Sequence, residues 1–319
     1  MLAGLGRAKR SVASASEVER SARYQLYGEG PAVGVSVRRG RPPAARDAAW
    51  LGRLVGGRYR LLERVGAGGM ATVYRARDER LAREVAIKMI AERFVREPGF
   101  VRRFRREAQI CARLSHPNVV SVLDAGFAPR DFMVMELVEG VNAGTVLKRE
   151  DRPTAGEVVH LIAQVCEGLA HAHDRGVIHQ DVSPHNILIR SADATAKLAD
   201  FGLASNSLDN AARRETGGTP GYIAPEVLRG APPSPRSDLY SLGVVAYKLL
   251  AGPTQARARH VPLAEARPCL PRALCEAVER AVADDPDARQ ESVADFRTAL
   301  IAALRAPVGP HQDSGLRAA

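Results

Sequence analysis

The sequence lacks several features, and each shortage removes a class of protein. No run approaches the roughly 18 consecutive apolar residues of a membrane-crossing helix. The N-terminus has no apolar centre of the kind a secretory signal carries. We therefore expect no membrane span and a cytoplasmic location. Only four cysteines occur, Cys111, Cys166, Cys269 and Cys275. They form neither a Cys-x-x-Cys pair nor a metal-ligand spacing, which speaks against a zinc site or disulfide framework and for reduced thiols. Aromatic residues are not interleaved with the basic ones, so no nucleic-acid surface built by base stacking is expected. Acidic charge is in deficit: 36 Asp and Glu face 46 Lys and Arg, for a net charge of +10. Much of the excess lies in arginine clusters at residues 7 to 60 and 93 to 106, and it favours acidic partners or surfaces.

What is present suffices for a globular protein. The chain has 319 residues, of which 45% are hydrophobic, enough for one large domain or two moderate ones with a sizeable core. Residues 1–56 are rich in Ala, Arg, Gly and Ser, carry Arg38-Arg39-Gly40-Arg41-Pro42-Pro43 and show no sustained periodicity. They read as a basic, disordered extension, and residues 306–319 as a second tail.

The most informative stretch is Val177-Ile178-His179-Gln180-Asp181-Val182-Ser183-Pro184-His185-Asn186, followed by apolar Ile187-Leu188-Ile189. An Asp on a tight loop with an Asn five residues on can set a carboxylate beside an incoming hydroxyl while the amide oxygen ligates a metal. Other patterns accompany it in a fixed order. Upstream, Gly66-Ala67-Gly68-Gly69 joins two strand-like runs, and its missing side chains would let backbone N–H groups approach phosphate oxygens. Val85-Ala86-Ile87-Lys88 is an apolar strand carrying one lysine, and a helix starting near Pro98 carries Glu107. His116 to Val120 and Phe132 to Val138 read as two further strands. Downstream come Asp200-Phe201-Gly202 and Ala224-Pro225-Glu226.

This ordered set resembles the Hanks-type, eukaryotic-like serine/threonine protein kinases of bacteria, over roughly residues 58 to 304. The resemblance implies an α+β, bilobal protein-kinase-like fold, with a β-rich N-lobe holding one main helix and a mostly helical C-lobe. Residues 57–138 would be the N-lobe and hinge, and 139–305 the C-lobe. ATP would lie against Gly66, Ala67, Gly68, Gly69, Val73, Ala86, Met135, Glu136, Val138 and Leu188. Lys88 would reach the phosphates and pair with Glu107, Asp181 would accept the substrate hydroxyl proton, and Asn186 and Asp200 would ligate Mg²⁺ or Mn²⁺. His179 would be scaffold, Thr219 would bond Asp181, Glu226 would pair with Arg289, and Asp238 would anchor the catalytic loop. Protein substrates are the implied partners, and a homodimer through the N-lobe is allowed. In the segment from Asp200 to Glu226, Ser205, Ser207 and Thr216 are polar candidates for modification, Thr216 first among them.

Four departures stand out. Ala71 replaces a third glycine. Gln180 replaces an Arg that in most relatives binds a phosphorylated loop. Ser183 stands where a Lys usually reaches the γ-phosphate, a loss that can cost on the order of 100-fold in rate. The stretch from Gly252 to Leu270 is shorter than in relatives. These features keep a second function in view, a weak or inactive nucleotide-binding pseudokinase scaffold. A small-molecule phosphotransferase fits less well, because Ala224-Pro225-Glu226 and the Thr219 segment are present.

Overall fold

Alternation of side chains along strands decides which face of the first sheet becomes functional. In the computed structural model, residues 50–68, 71–201, 218–252 and 261–305 are described. Residues 1–49, Gly69, Ser205, Ser207, Thr216, residues 253–260 of the shortened stretch and residues 306–319 lie outside the described residues. The sheet is built from β1 (Leu54–Val55), β2 (Tyr59–Ala67), β3 (Ala71–Asp78), β4 (Arg83–Ile90), β5 (Val122–Gly126) and β6 (Phe132–Glu136). Its spatial order is β1-β2-β3-β4-β6-β5, antiparallel throughout.

In β4, Val85, Ile87 and Met89 point to one face and Ala86, Lys88 and Ile90 to the other, because successive residues alternate. The first set packs with Tyr59, Leu61, Tyr74, Phe132 and Val134. The second faces a separate cluster with Val73, Met133 and Met135, which includes Phe104 and Ala108 of helix α1 (Pro98–Cys111). Both faces are thus covered, and Lys88 is committed to the helix side.

One expected strand does not form. His116 to Val120 is a turn, in which the Val119 N–H donates to the His116 carbonyl at 3.0 Å. Pro117 offers no N–H to a ladder, and the Asn118 amide donates to the Ala196 carbonyl at 2.8 Å and Gln164 at 3.2 Å. The segment therefore docks away from the first sheet, and β5 begins only at Val122.

The rest of the described chain is mainly helical. A small sheet of β7 (Gly140–Asn142), β8 (Ile187–Arg190) and β9 (Ala196–Leu198) lies beside α2 (Ala143–Val146) and α3 (Ala155–His173). After them come α4 (Pro225–Leu228), α5 (Pro235–Ala251), α6 (Leu263–Ala266), α7 (Arg272–Ala281) and α8 (Val293–Arg305). Thr154 and Glu157 close a capping box on α3, and Ser234 and Ser237 close one on α5, so each start is satisfied locally. Every residue of α5 from Ser237 to Ala251 is buried except Lys248. A helix apolar nearly all round is a central one, and the main core cluster is gathered about it. Gly168 on α3 permits a close crossing, since a Cβ there would lie 2.6 Å from the Asn118 carbonyl oxygen.

The expected ion pair between Glu226 and Arg289 fastens α4 to the end of the domain. Arg289 donates to both Glu226 oxygens at 2.7 and 2.8 Å and to the carbonyls of Ala283 and Arg236 at 2.8 and 2.9 Å. Its side chain is 0% exposed and that of Glu226 12%. Burial works against the Glu226 charge, but the guanidinium outweighs it and holds the carboxyl below the ordinary glutamate range. A depressed pKa gives stability at neutral pH that is lost as the pH falls through the folded-state value. Glu226→Ala should lower unfolding free energy by roughly 3–5 kcal/mol in urea titrations, because it strands a buried cation. The gap from wild type should close as the pH drops below the usual glutamate range.

Three of the four cysteines are buried and only Cys269 is exposed. Burial pushes the Cys111 thiol up to about 12 and raises Cys166 and Cys275 as well. A thiol reagent should modify Cys269 alone in the folded protein, and the other three only after denaturation.

Candidate active site

Helix α1 brings the first acidic group to the site. Pro98 suits its first turn, and Phe104, Glu107, Ala108 and Cys111 recur at the spacing that puts them on one buried face. Glu107 is thereby turned inward, where the Lys88 ammonium donates to it at 2.6 Å. The same ammonium donates to Asp200 at 2.8 Å. Burial alone would weigh against the Lys88 charge, but the Asp200 and Glu107 carboxylates more than offset it and hold the lysine above its ordinary range. Burial lifts Glu107, with Lys88 opposing the rise. One strand, one helix and the segment after β9 thus meet at a single nitrogen.

The loop from His179 to Asn186 is held from below by Asp238 of α5. That carboxylate accepts from the N–H groups of His179 and Gln180, both at 2.8 Å, and from His173 Nε2 at 2.8 Å. Gln180 has φ 68 and Asp200 φ 64, a left-handed conformation that non-glycine residues adopt only when their surroundings impose it. His179 is fully buried. Its Nδ1 accepts from the Asp181 N–H at 3.2 Å and its Nε2 donates to the Ala199 carbonyl at 3.1 Å, which assigns one neutral tautomer. Its ring lies 4.5 Å from that of Phe201. Phe201 is buried in the same cluster as Cys111, one turn beyond Glu107.

Asp181 is oriented from two sides. The Thr219 N–H and hydroxyl donate to Oδ1 at 2.8 and 2.9 Å. Asn186 Nδ2 donates to Oδ2 at 3.0 Å and to the Asp181 carbonyl at 2.8 Å. With its nitrogen spent on Asp181, Asn186 offers a metal its amide oxygen, and Asp200 offers carboxylate oxygen. Such hard donors suit Mg²⁺ or Mn²⁺. Among the described residues no group of three or more His, Cys, Asp or Glu is placed to hold a metal alone. A cation here would need phosphate oxygens to complete its shell, as Mg²⁺ in nucleotide sites does.

Val73, Ala86, Met135, Val138 and Leu188 are gathered in one apolar cluster that draws on both sheets, with Val65 packed against it. Gly66 and Ala67 end β2 opposite Val73 and Thr72. At Gly68 an added Cβ would meet only the Ala71 carbonyl, at 3.6 Å. The turn therefore keeps open space on its other side. Glu136 ends β6. Its carboxylate accepts from the Ser121 N–H at 2.8 Å and from the Lys197 ammonium at 2.8 Å.

Lys88, Glu107 and Asp200 are thus joined in one hydrogen-bonded set, and Asp181, Asn186 and Thr219 in another. Ser183 is different: it is fully buried, and its hydroxyl has no hydrogen-bond partner among the described residues. Ser183 itself brings no charge to the position that the lysine would fill. Two functional contacts escaped sequence reasoning. His173, the last residue of α3, bonds Asp238 at 2.8 Å. Lys197 is 6% exposed and ties β9 to Glu136. A lysine inside the apolar run Ala196 to Ala199 was the available sign of it.

Fold and site together define a two-lobed phosphotransferase architecture, with an apolar cluster drawn from both sheets beside a carboxylate loop. The protein kinase domain signature matches residues 59–295, and the chain belongs to that family, in its bacterial Hanks-type serine/threonine branch. It is 38% identical to the serine/threonine-protein kinase PknB of Mycobacterium tuberculosis over 266 residues, 76% of this chain and 42% of that protein. It is 37% identical to PknA of the same species over 283 residues, 83% of this chain and 65% of the relative. The chain thus matches less than half the length of PknB. The crystal structure of the M. tuberculosis PknI kinase domain superposes with a TM-score of 0.65 at 31% identity, covering 79% of this chain and 98% of that one.

Removing Asp238 tests the support of the loop. Asp238→Ala leaves two backbone N–H groups without their acceptor, one of them buried, and should cost roughly 3 kcal/mol or more in denaturant unfolding. Asp238→Asn, which keeps one acceptor oxygen, should cost less.

Proposed function

We propose that this chain transfers the γ-phosphoryl group of ATP to serine or threonine hydroxyls of proteins, its own included. The observation that carries the reading is the closed set in which Lys88 bonds both Glu107 and Asp200 while Thr219 and Asn186 orient Asp181. In this reading the adenine enters the slot of Val73, Ala86, Met135, Val138 and Leu188, against backbone groups of Glu136 and Val138. Backbone N–H groups of the Gly66–Gly69 turn cradle the phosphates, and Lys88, held in place by Glu107, binds them as a fixed cation. Asp181 aligns the acceptor hydroxyl with the γ-phosphorus and receives its proton as the new P–O bond forms and the bond to ADP breaks. Asn186 and Asp200 would hold Mg²⁺ or Mn²⁺, whose charge would offset that of the phosphate oxygens.

The described residues contain no helix long and apolar enough to cross a membrane, and the buried free thiols fit a reducing compartment. We place the activity in the cytoplasm on that basis. A homodimer through the lobe of the first sheet belongs to the same proposal, since Leu54, Leu62 and Leu81 are exposed there.

The alternative, a pseudokinase scaffold, would bind nucleotide without transfer. Labelled ATP with Mg²⁺ or Mn²⁺ separates the two, using wild type beside Asp181→Asn and Lys88→Ala and mass spectrometry to locate phosphate. We expect label on Ser or Thr, reduced at least about 100-fold in either variant. Nucleotide binding without transfer to any protein or peptide would overturn the proposal and leave the scaffold.

A further inference from the structure

Helix α1 is tied to the first sheet a second time, by groups that have no part in the chemistry proposed above. Arg105 donates through Nε to Asp131 Oδ2 at 2.6 Å and through Nη2 to Oδ1 at 3.1 Å, a two-point contact between planar groups. The Asp131 side chain is 8% exposed, and its backbone carbonyl accepts from the Ile90 N–H at 3.0 Å. Ile90 ends β4, two residues after Lys88. Arg105 is therefore anchored to the same stretch of strand that carries the lysine, as Glu107 is.

The two ties leave the helix on different sides. Residues two apart in a helix stand about 200° round its axis from each other, so Glu107 meets Lys88 directly while the half-exposed Arg105 reaches back from the outer flank. A contact at Glu107 alone would leave α1 able to roll about its axis or swing from the sheet. A second contact from the far flank opposes both motions. The Arg105 guanidinium also lies 4.5 Å from the centre of the Phe127 ring, just beyond β5, and that face fixes its plane. Beside Asp131, Arg130 reaches Glu92, in the turn before α1, at 3.3 Å. The hairpin between β5 and β6 thus holds the helix and the segment leading into it, through adjacent residues of opposite charge.

We infer that Arg105 and Asp131 are a positioning pair for phosphoryl transfer: they set the rotation of α1 and, through it, the place of Glu107 beside Lys88. The inference rests on the kinase reading above and adds to it two residues that touch neither nucleotide nor acceptor. Loss of the pair leaves the buried packing of Phe104, Ala108 and Cys111 in place, so the helix persists. Glu107 then occupies its bonding position for a smaller share of the time, and the lysine that meets the phosphates is misplaced to the same extent. Lysine in place of Arg105 would keep the charge but give up the two-point contact and the stacking on Phe127.

The test is a double-mutant cycle on the full chain, with Arg105→Gln, Glu107→Gln and both together, read as kcat/KM for ATP with casein as acceptor. Arg105→Gln should lower kcat/KM about tenfold alone, the scale of a partly exposed charge-assisted contact, and by less than about twofold where Glu107→Gln is already present. A merely structural role would cost the same in both backgrounds. Arg105→Lys should recover part of the loss. Hydrogen exchange read by mass spectrometry follows the helix without any transfer: Arg105→Gln should speed exchange in α1 and leave α5 as in wild type. Should Arg105→Gln not fold, Arg105→Lys decides, with the same selective changes at smaller size. Faster exchange in α1 with no transfer by wild type would overturn the kinase reading and keep the positioning pair. Equal losses in both backgrounds, or exchange in α1 no faster than in wild type, would overturn the pair.

Discussion

One ammonium group organises this molecule. Lys88 is held at 2.6 Å from Glu107 and 2.8 Å from Asp200, and each of the three residues belongs to a different part of the chain. Lys88 can reach α1 only because strand alternation puts it on that face of β4. Glu107 can answer only because an apolar stripe turns α1 inward, and Asp200 arrives only if β9 has paired with β8. A buried cation without these partners would be strongly unfavourable. The contact thus couples the folding of the first sheet, its helix and the second sheet, and its existence certifies that the lobes have met in register.

A second carboxylate does the same work lower down. Asp238, 1% exposed, spends its oxygens on the loop from His179 to Gln180 and on His173. It rises from a helix buried from Ser237 to Ala251 except at Lys248, so the loop inherits that rigidity. This is how strained left-handed backbone at Gln180 can persist: the two N–H groups flanking the strain are already fixed to the core.

Much of this was legible in advance, and the reasons differ by residue. The pairings of Lys88 with Glu107, Thr219 with Asp181 and Glu226 with Arg289 could be expected because each residue belongs to a short pattern of the family. Helix α1 was legible from its proline start at Pro98. The segment from His116 to Val120 misled because β-branched Val119 and Val120 look like strand while Pro117 and the Asn118 side chain redirect the backbone. Lys197, His173 and Arg105 were illegible for another reason. Their partners Glu136, Asp238 and Asp131 lie 61, 65 and 26 residues away, and only the folded chain shows that they meet.

The bond between Glu136 and Lys197 has a mechanical consequence. It joins the last residue of β6, where the chain leaves the first sheet, to the strand that leads into Asp200, and Lys197 also reaches the Val119 carbonyl at 3.5 Å. The two halves are therefore stapled on the side where the backbone crosses between them. On the opposite side, among the described residues, the comparable tie is Lys88 to Asp200, and phosphate oxygens would compete for that lysine. Separation of the halves must then proceed like the opening of a book, with its spine at Glu136 and Lys197 and its free edge at the glycine turn. The end near Gly66 and Gly68 is the one that parts, while the end at Glu136 keeps its shape.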